Sequence, residues 1–227
     1  MVSAEINIFD YRKPDYEISP LFIKRWSPRA MSGEEISRDE LMRLFEAARW
    51  APSSMNNQPW RFLYALRKSA HWETFFNLLG ANNQGWCKNA AALIVVVSKT
   101  TFDFNNKLAR THSYDAGAGW GYFALQGSLL GLVVHSMQGF NYDKAMELPR
   151  VGDEYQVEAM IAVGRPGRKQ NLPLTLQERE VSSSKKKVEE IAFEVASACE
   201  QTYSVSQGGI RSLSFASFAG VSSVFIA

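Results

Sequence analysis

Cysteine is nearly missing from this chain: Cys87 and Cys199 are the two in 227 residues, far apart and in no Cys-x-x-Cys or Cys/His pattern. That excludes a disulfide framework and a thiolate zinc site, and a reducing, cytoplasmic setting is expected. Histidine is scarce as well. His71, His112 and His135 are scattered, with no metal-ligand spacing and no obvious nucleophile beside them, so no metal is expected and structural or surface roles are. Excess charge is lacking too: 25 Lys+Arg against 23 Asp+Glu leave a formal +2, too little for the broad positive field of nucleic-acid or anionic-membrane binding. No window approaches the roughly 18 apolar residues of a membrane span, and the stretch MVSAEINIFDYRKPDYE carries acidic residues and no apolar h-region. The expectation is a soluble, untargeted protein with no membrane or nucleic-acid partner. No Gly-x-Ser-x-Gly elbow, P-loop or paired-carboxylate pattern occurs, so hydrolysis and phosphoryl transfer lose support.

What is present suits a globular enzyme. At 46% hydrophobic and 21% charged, the chain can bury a sizeable core in one large domain or two small ones. The first strong helix signal is SRDELMRLFEAARWA. Ser37 can cap it with Glu40 three residues on, and Leu41, Leu44, Phe45 and Ala48 recur at helical spacing. This predicts a helix from about Arg38 to Trp50, stopped at Ala51-Pro52 because a residue before proline leaves the helical region. RFLYAL at 61–66, AALIVVVS at 91–98 and QVEAMIAVG at 156–164 read as strands; the continuous apolar run of the second predicts cover on both faces. His71 to Leu79 reads as helical. Tyr114 to Val134, apolar, Gly/Ala-rich and free of proline, reads as one long buried helix on which something packs closely. From about Val195 the composition turns to Ser, Gly, Ala and Phe, with Glu200 and Arg211 the last charges. Residues 195–227 therefore form an atypical tail to which no function is given.

Four segments can carry chemistry. Arg25-Trp26-Ser27-Pro28-Arg29 sets two guanidinium forks and a hydroxyl within five residues, a donor set matched to phosphate oxygens, although a solvated basic turn is the plainer alternative. Pro52-Ser53-Ser54-Met55-Asn56-Asn57-Gln58-Pro59-Trp60 joins amides and an aromatic between helix and strand. Amides can meet both donors and acceptors of a heterocycle edge; alternatively they serve a turn that tolerates unusual backbone angles. In His135-Ser136-Met137-Gln138-Gly139-Phe140, Gly139 permits close approach of a flat ligand or makes a tight turn before a helix at Asn141-Tyr142-Asp143. Lys185-Lys186-Lys187 is a solvated basic face unless the fold returns it to a phosphate. Gly117-Ala118-Gly119-Trp120-Gly121 is set aside as a dinucleotide fingerprint, since it follows no strand and lacks the third glycine at the required spacing.

In order, RWSPR, ELMRLFEAARWAPSS, NNQPWRFLYA, NQGWCKNAAALIVVVS, YDAGAGWGYFALQGSLLGL, MQGF and EAMIAVGRPG resemble the nitroreductase family over about residues 20 to 194. The resemblance implies an α+β fold, a three-layer α-β-α sandwich around a mostly antiparallel sheet. It implies a single FMN-binding domain over residues 1–194 and an obligate homodimer with FMN at each subunit interface. Arg25, Ser27 and Arg29, with Trp26 between them, then correspond to phosphate and ribityl ligands; Asn56 and Gln58 to amides at the isoalloxazine ring; Gln138 and Gly139 to the segment along its N5 side; and Lys185 and Lys186 to further phosphate-binding cations. Many members carry Glu where this chain has Gln138. The implied activity is ping-pong transfer of electrons from NADH or NADPH to nitroaromatics, quinones or other small planar acceptors, with no catalytic side chain because the flavin carries the chemistry. Alternatives are another reaction on the same fold, such as enone reduction, flavin breakdown or dehalogenation, and a flavin-binding protein without turnover.

Overall fold

The structure, a computed structural model, describes residues 8–195. The chain divides into two compact units, Met1–Lys187 and Val188–Ala227. In the second, the described part is a single turn, Val188–Glu190, with Ile191 and Ala192 donating their amides back to the Val188 carbonyl; the expected tail beyond residue 195 lies outside the described residues.

The first unit contains, in chain order, α1 (Pro20–Lys24), α2 (Arg38–Arg49), β1 (Trp60–Leu66), α3 (Trp72–Phe76), α4 (Ala81–Cys87), β2 (Ala92–Lys99), α5 (His112–Leu129), β3 (Val133–Met137), α6 (Tyr142–Met146), β4 (Tyr155–Gly164) and α7 (Leu174–Gln177). Helix α2 begins as its sequence dictates. Ser37 Oγ accepts from the Glu40 amide at 3.0 Å and Glu40 Oε2 from the Ser37 amide at 2.8 Å, so two otherwise unpaired donors are satisfied reciprocally. Its inward stripe, Leu41, Leu44 and Ala48, is fully buried, each leucine contributing about 2 kcal/mol of transfer free energy.

The four strands form one sheet in the order β1-β2-β4-β3, antiparallel throughout. Strand β2 lies inside it and is buried along nearly its whole length. It sends Leu93, Val95 and Val97 to a core shared with α3, α4 and α6, and Ala92, Ile94 and Val96 to a core shared with α2 and α5. That is why β2 reads as unbroken hydrophobicity: both of its faces are covered. The result is three layers, helices on either side of the sheet.

Three sequence expectations are corrected. The long apolar stretch is not one helix to Val134: α5 stops at Leu129 and Gly131, at φ +68°, turns the chain into β3, an edge strand whose first residues, Val133 and Val134, were read as helix. Nor is α5 buried all round. Its inner face packs so closely that a Cβ at Gly127 would stand 2.3 Å from Val134 Cγ2, while Tyr114, Tyr122 and Leu129 on the outside are exposed. Finally, the helix expected over His71–Leu79 is the five residues of α3.

Candidate functional site

Residues 25–32 are held in place by contacts that are distant in sequence. The Ser32 amide donates to the Arg165 carbonyl at 3.0 Å and the Gly167 amide to the Ala30 carbonyl at 2.9 Å, so the stretch runs beside the end of β4. Only glycine suits position 167, where a Cβ would stand 2.4 Å from the Met31 carbonyl carbon. On the other side, buried Glu180 uses one oxygen, Oε1, to accept from the amides of Arg29 at 2.7 Å and Ala30 at 2.8 Å. His135 on β3, whose ring packs on Trp86, lies with Nδ1 3.0 Å from the Pro28 carbonyl. Burial lowers the His135 pKa, with the nearby charges of Arg29 and Arg25 acting the same way, so its ring is held neutral and donates.

This places Arg25 and Ser27 at the mouth of an open cleft of about 500 Å³. Arg25 Nη1 is 3.3 Å from Ser27 Oγ, and Ser136 of β3 joins them as a third polar group, while Phe22, Trp120 and Leu125 supply an apolar wall. Arg12 was missed in the sequence. Its Nη1 donates to the carbonyls of Ile23 at 2.9 Å and Arg25 at 2.7 Å, and its Nε to that of Ser183 at 3.0 Å. Burial lowers the Arg12 and Arg25 pKa values, and the charge of Arg25 lowers that of Arg12 further. Among the described residues none of Arg12, Arg25 and Arg29 is in an ion pair. An anion beside Arg25 would offset the repulsion between these two half-buried cations.

The other candidates fall into two groups. Lys185 and Lys186 are exposed, two and three residues beyond Ser183, so Arg12 ties their segment to that of Arg25. Gln138 and Gly139 are exposed just past β3, on the sheet edge that carries Ser136; the Gly139 carbonyl accepts from the Gly80 amide at 3.0 Å and Asn83 Nδ2 at 2.9 Å. Trp26 and Arg29 are half-buried beside Ser27. Asn56 and Gln58 are elsewhere. They belong to a loop in which Met55, Asn56 and Gln58 have φ of 52°, 52° and 47°, a conformation that costs a side chain about 1–2 kcal/mol per residue. Gln58 Nε2 donates to the Asn56 carbonyl and to Asn56 Oδ1 at 3.1 and 3.2 Å.

That loop precedes β1, at the opposite edge of the sheet. Ser136 pairs with Ile161, Ile161 with Ile94 and Ile94 with Tyr64, and Trp60 is four residues further along β1. Three strand spacings and four residues of rise put Ser136 and Trp60 roughly 20 Å apart. Within one chain the basic cluster and the amide loop are thus two separate half-sites. Among the described residues no group of three or more His, Cys, Asp and Glu can hold a metal ion, and no helix is long and apolar enough to cross a membrane. The Cys87 thiol, fully buried, is driven far up in pKa by desolvation and is not a nucleophile.

The sequence model of the Nitroreductase family matches residues 23–165. A solved structure described as an oxidoreductase containing FMN is 42% identical, covers 81% of this chain and 94% of its own, and superposes with a TM-score of 0.78. An FMN-dependent nitroreductase from Clostridium difficile R20291 is 25% identical over 66% of this chain and 88% of its own, TM-score 0.54. A nitroreductase family protein from Streptococcus pneumoniae TIGR4, 20% identical over 77% and 98%, superposes with a TM-score of 0.60. No curated protein matches the sequence.

Proposed function

The chain belongs to the nitroreductase family, and on that premise we propose that it is an FMN-dependent oxidoreductase carrying electrons from NADH or NADPH to nitroaromatics, quinones or similar small planar acceptors. The observation that carries this is the cleft in which the half-buried guanidinium of Arg25, in no ion pair among the described residues and backed by Arg12 on its own carbonyl, meets an apolar wall of Phe22, Trp120 and Leu125. A phosphorylated ribityl chain bearing a flat ring has those two ends, anionic and apolar, in that order.

In this reading Arg25, Ser27 and Arg29 hold the phosphate and ribityl hydroxyls beside Trp26, with Arg12, Lys185 and Lys186 adding positive charge. Gln138 and Gly139 border the ring, and Asn56 and Gln58 meet its polar edge. Bound FMN supplies the redox chemistry, which consists of two half-reactions through one cleft. The protein's part is orientation and electrostatics: cations on the phosphate side favour the extra negative charge of the reduced cofactor. No side chain is required as acid or base.

The two half-sites are united by a second copy of the chain. Helix α5 has one charged residue, Asp115, and it is buried. Its outer face shows Tyr114, Tyr122 and Leu129, and nothing lies within 4 Å of a Cβ built on Gly117 or Gly121. A helix bare of charge and of side chains at those points suits close contact with another helix, and the cleft opens along it at Trp120 and Gly121. A homodimer in which each amide loop completes the other chain's basic cleft satisfies the roughly 20 Å separation found within one chain.

The test is purification followed by absorption spectroscopy and turnover. A yellow, dimeric protein that oxidises NADH or NADPH with menadione and a nitroaromatic is the expected outcome. A protein that stays colourless and monomeric in excess FMN overturns the proposal, and one that binds FMN without turnover on any flat acceptor limits it to flavin binding.

A further inference from the structure

We propose, building on the FMN reading above, that Asp115 is a positioning residue: its buried carboxylate fixes Ser54 and thereby the left-handed backbone that presents Asn56 and Gln58 to the flavin ring.

Three non-glycine departures from the right-handed region among the four residues 55–58, interrupted by Asn57 at φ −70° and ψ −23°, do not persist unless the surroundings over-determine them. Four sets of contacts tie the loop. Ser53 Oγ accepts from the Gln58 amide at 3.0 Å, which closes the loop on itself. Asn57, read in the sequence with the amides that meet a heterocycle, has both ends of its side chain committed: Nδ2 donates to the Thr101 carbonyl at 3.2 Å and Oδ1 accepts from the Asp103 amide at 2.9 Å. That segment is itself an exposed loop. The third tie is Asp115, whose Oδ2 accepts from the Ser54 amide at 3.1 Å and from Thr111 Oγ1 at 3.2 Å. A fourth comes from Arg61 of β1, whose Nη1 donates to the Gln58 carbonyl at 2.8 Å and holds the far end of the loop; Asp115 is the tie from the body of the fold to its near end, ahead of the left-handed residues.

Asp115 is 5% exposed. A carboxylate so placed needs donors, and it has two, together with a position in the first turn of α5 where the helix dipole favours an anion. The start of α5 is anchored in turn. Ser113 Oγ donates to Glu158 Oε1 at 2.7 Å, and His112 Nδ1 lies 2.7 Å from Ser98 Oγ. The path from sheet to loop is therefore continuous: β4 and β2 hold the helix start, the helix holds Asp115, and Asp115 holds Ser54, two residues before Asn56. A charge-assisted bond is stronger than a neutral one, which gives aspartate its advantage here.

Two substitutions remove the same bond from opposite ends. Asp115→Ala deletes the acceptor. Ser54→Pro deletes the donor and leaves Asp115 intact; proline is accommodated at the first position of a helical turn, and Ser53, at φ −150° and ψ 155°, is already in the extended region preferred before proline. FMN affinity is read by fluorescence titration and ring environment by visible circular dichroism. Each variant is expected to weaken FMN binding by about tenfold and to change the flavin dichroism, as follows from loss of a hydrogen bond to a charged group. The double variant should be no weaker than the weaker single, and Asp115→Asn should recover most of the affinity. If Asp115→Ala does not fold, Ser54→Pro carries the test. Unchanged FMN affinity and dichroism in the variants, with or without a lowered melting temperature, overturns the role of Asp115 while the flavin proposal stands. Failure of the unsubstituted protein to bind FMN removes both.

Discussion

Ser98 Oγ donates to Glu158 Oε1 at 2.5 Å in a place where the sheet is irregular: the register between β2 and β4 passes from Val96↔Ala159 to Val97↔Val157, leaving Glu158 as the extra residue of a β-bulge. The bulge is what aims the carboxylate. It re-orients Glu158 toward Ser98 and Ser113, and bulges serve this purpose at the cost of one unpaired ladder position. Ser98 is fully buried, so Ser98→Ala leaves Glu158 with one donor fewer and is expected to destabilise the protein by about 1–2 kcal/mol. Urea unfolding checks it; a change within error of zero shows the cluster to be ornamental.

Arg25→Ala with Arg29→Ala removes the guanidinium that lines the cleft and its neighbour across Pro28. Loss of two charge-assisted contacts is expected to weaken FMN by about 100-fold or more, read as flavin lost on dialysis. Unchanged occupancy would refute the phosphate assignment.

His135 gives a pH signature. Its folded-state pKa lies below the ordinary 6.5, chiefly through burial. Below about 6.5 the unfolded chain takes up a proton that the folded ring resists, so the contribution is complete above that pH and declines as pH falls toward the folded value. Unfolding free energies at pH 5 and 7.5 should therefore differ more for the native protein than for His135→Gln. Equal differences dismiss the assignment.

Gly117 tests the assembly. With nothing within 4 Å of its Cβ position, Gly117→Glu can be accommodated by a single folded chain. Across a helix–helix contact it buries a charge. The variant is expected to keep its helical circular dichroism and to shift from dimer to monomer in light scattering; a dimer as tight as the unsubstituted one places the interface elsewhere.

Some of this molecule was legible locally. The Ser37/Glu40 box, the Pro52 stop and the unbroken apolar run of β2 depend on neighbours a few residues away, and each appears where its pattern puts it. The start of strand β3 was not legible, because Leu129 to Val134 keep the apolar composition of the helix before them and the change of period happens at a single glycine, Gly131. Nothing in the surroundings of Arg12 in the sequence marks it.

The amino-acid order by itself therefore determined the helices with caps, the buried strand and the residue types able to hold a phosphorylated ring. Tertiary structure decided the partners: Asp115 for Ser54 across 61 residues, Glu180 for Arg29 across 151, Arg12 for Ser183 across 171. The physical reason is that a hydrogen bond is chosen by proximity in space and by the burial of competing donors, and neither quantity exists until the layers have packed.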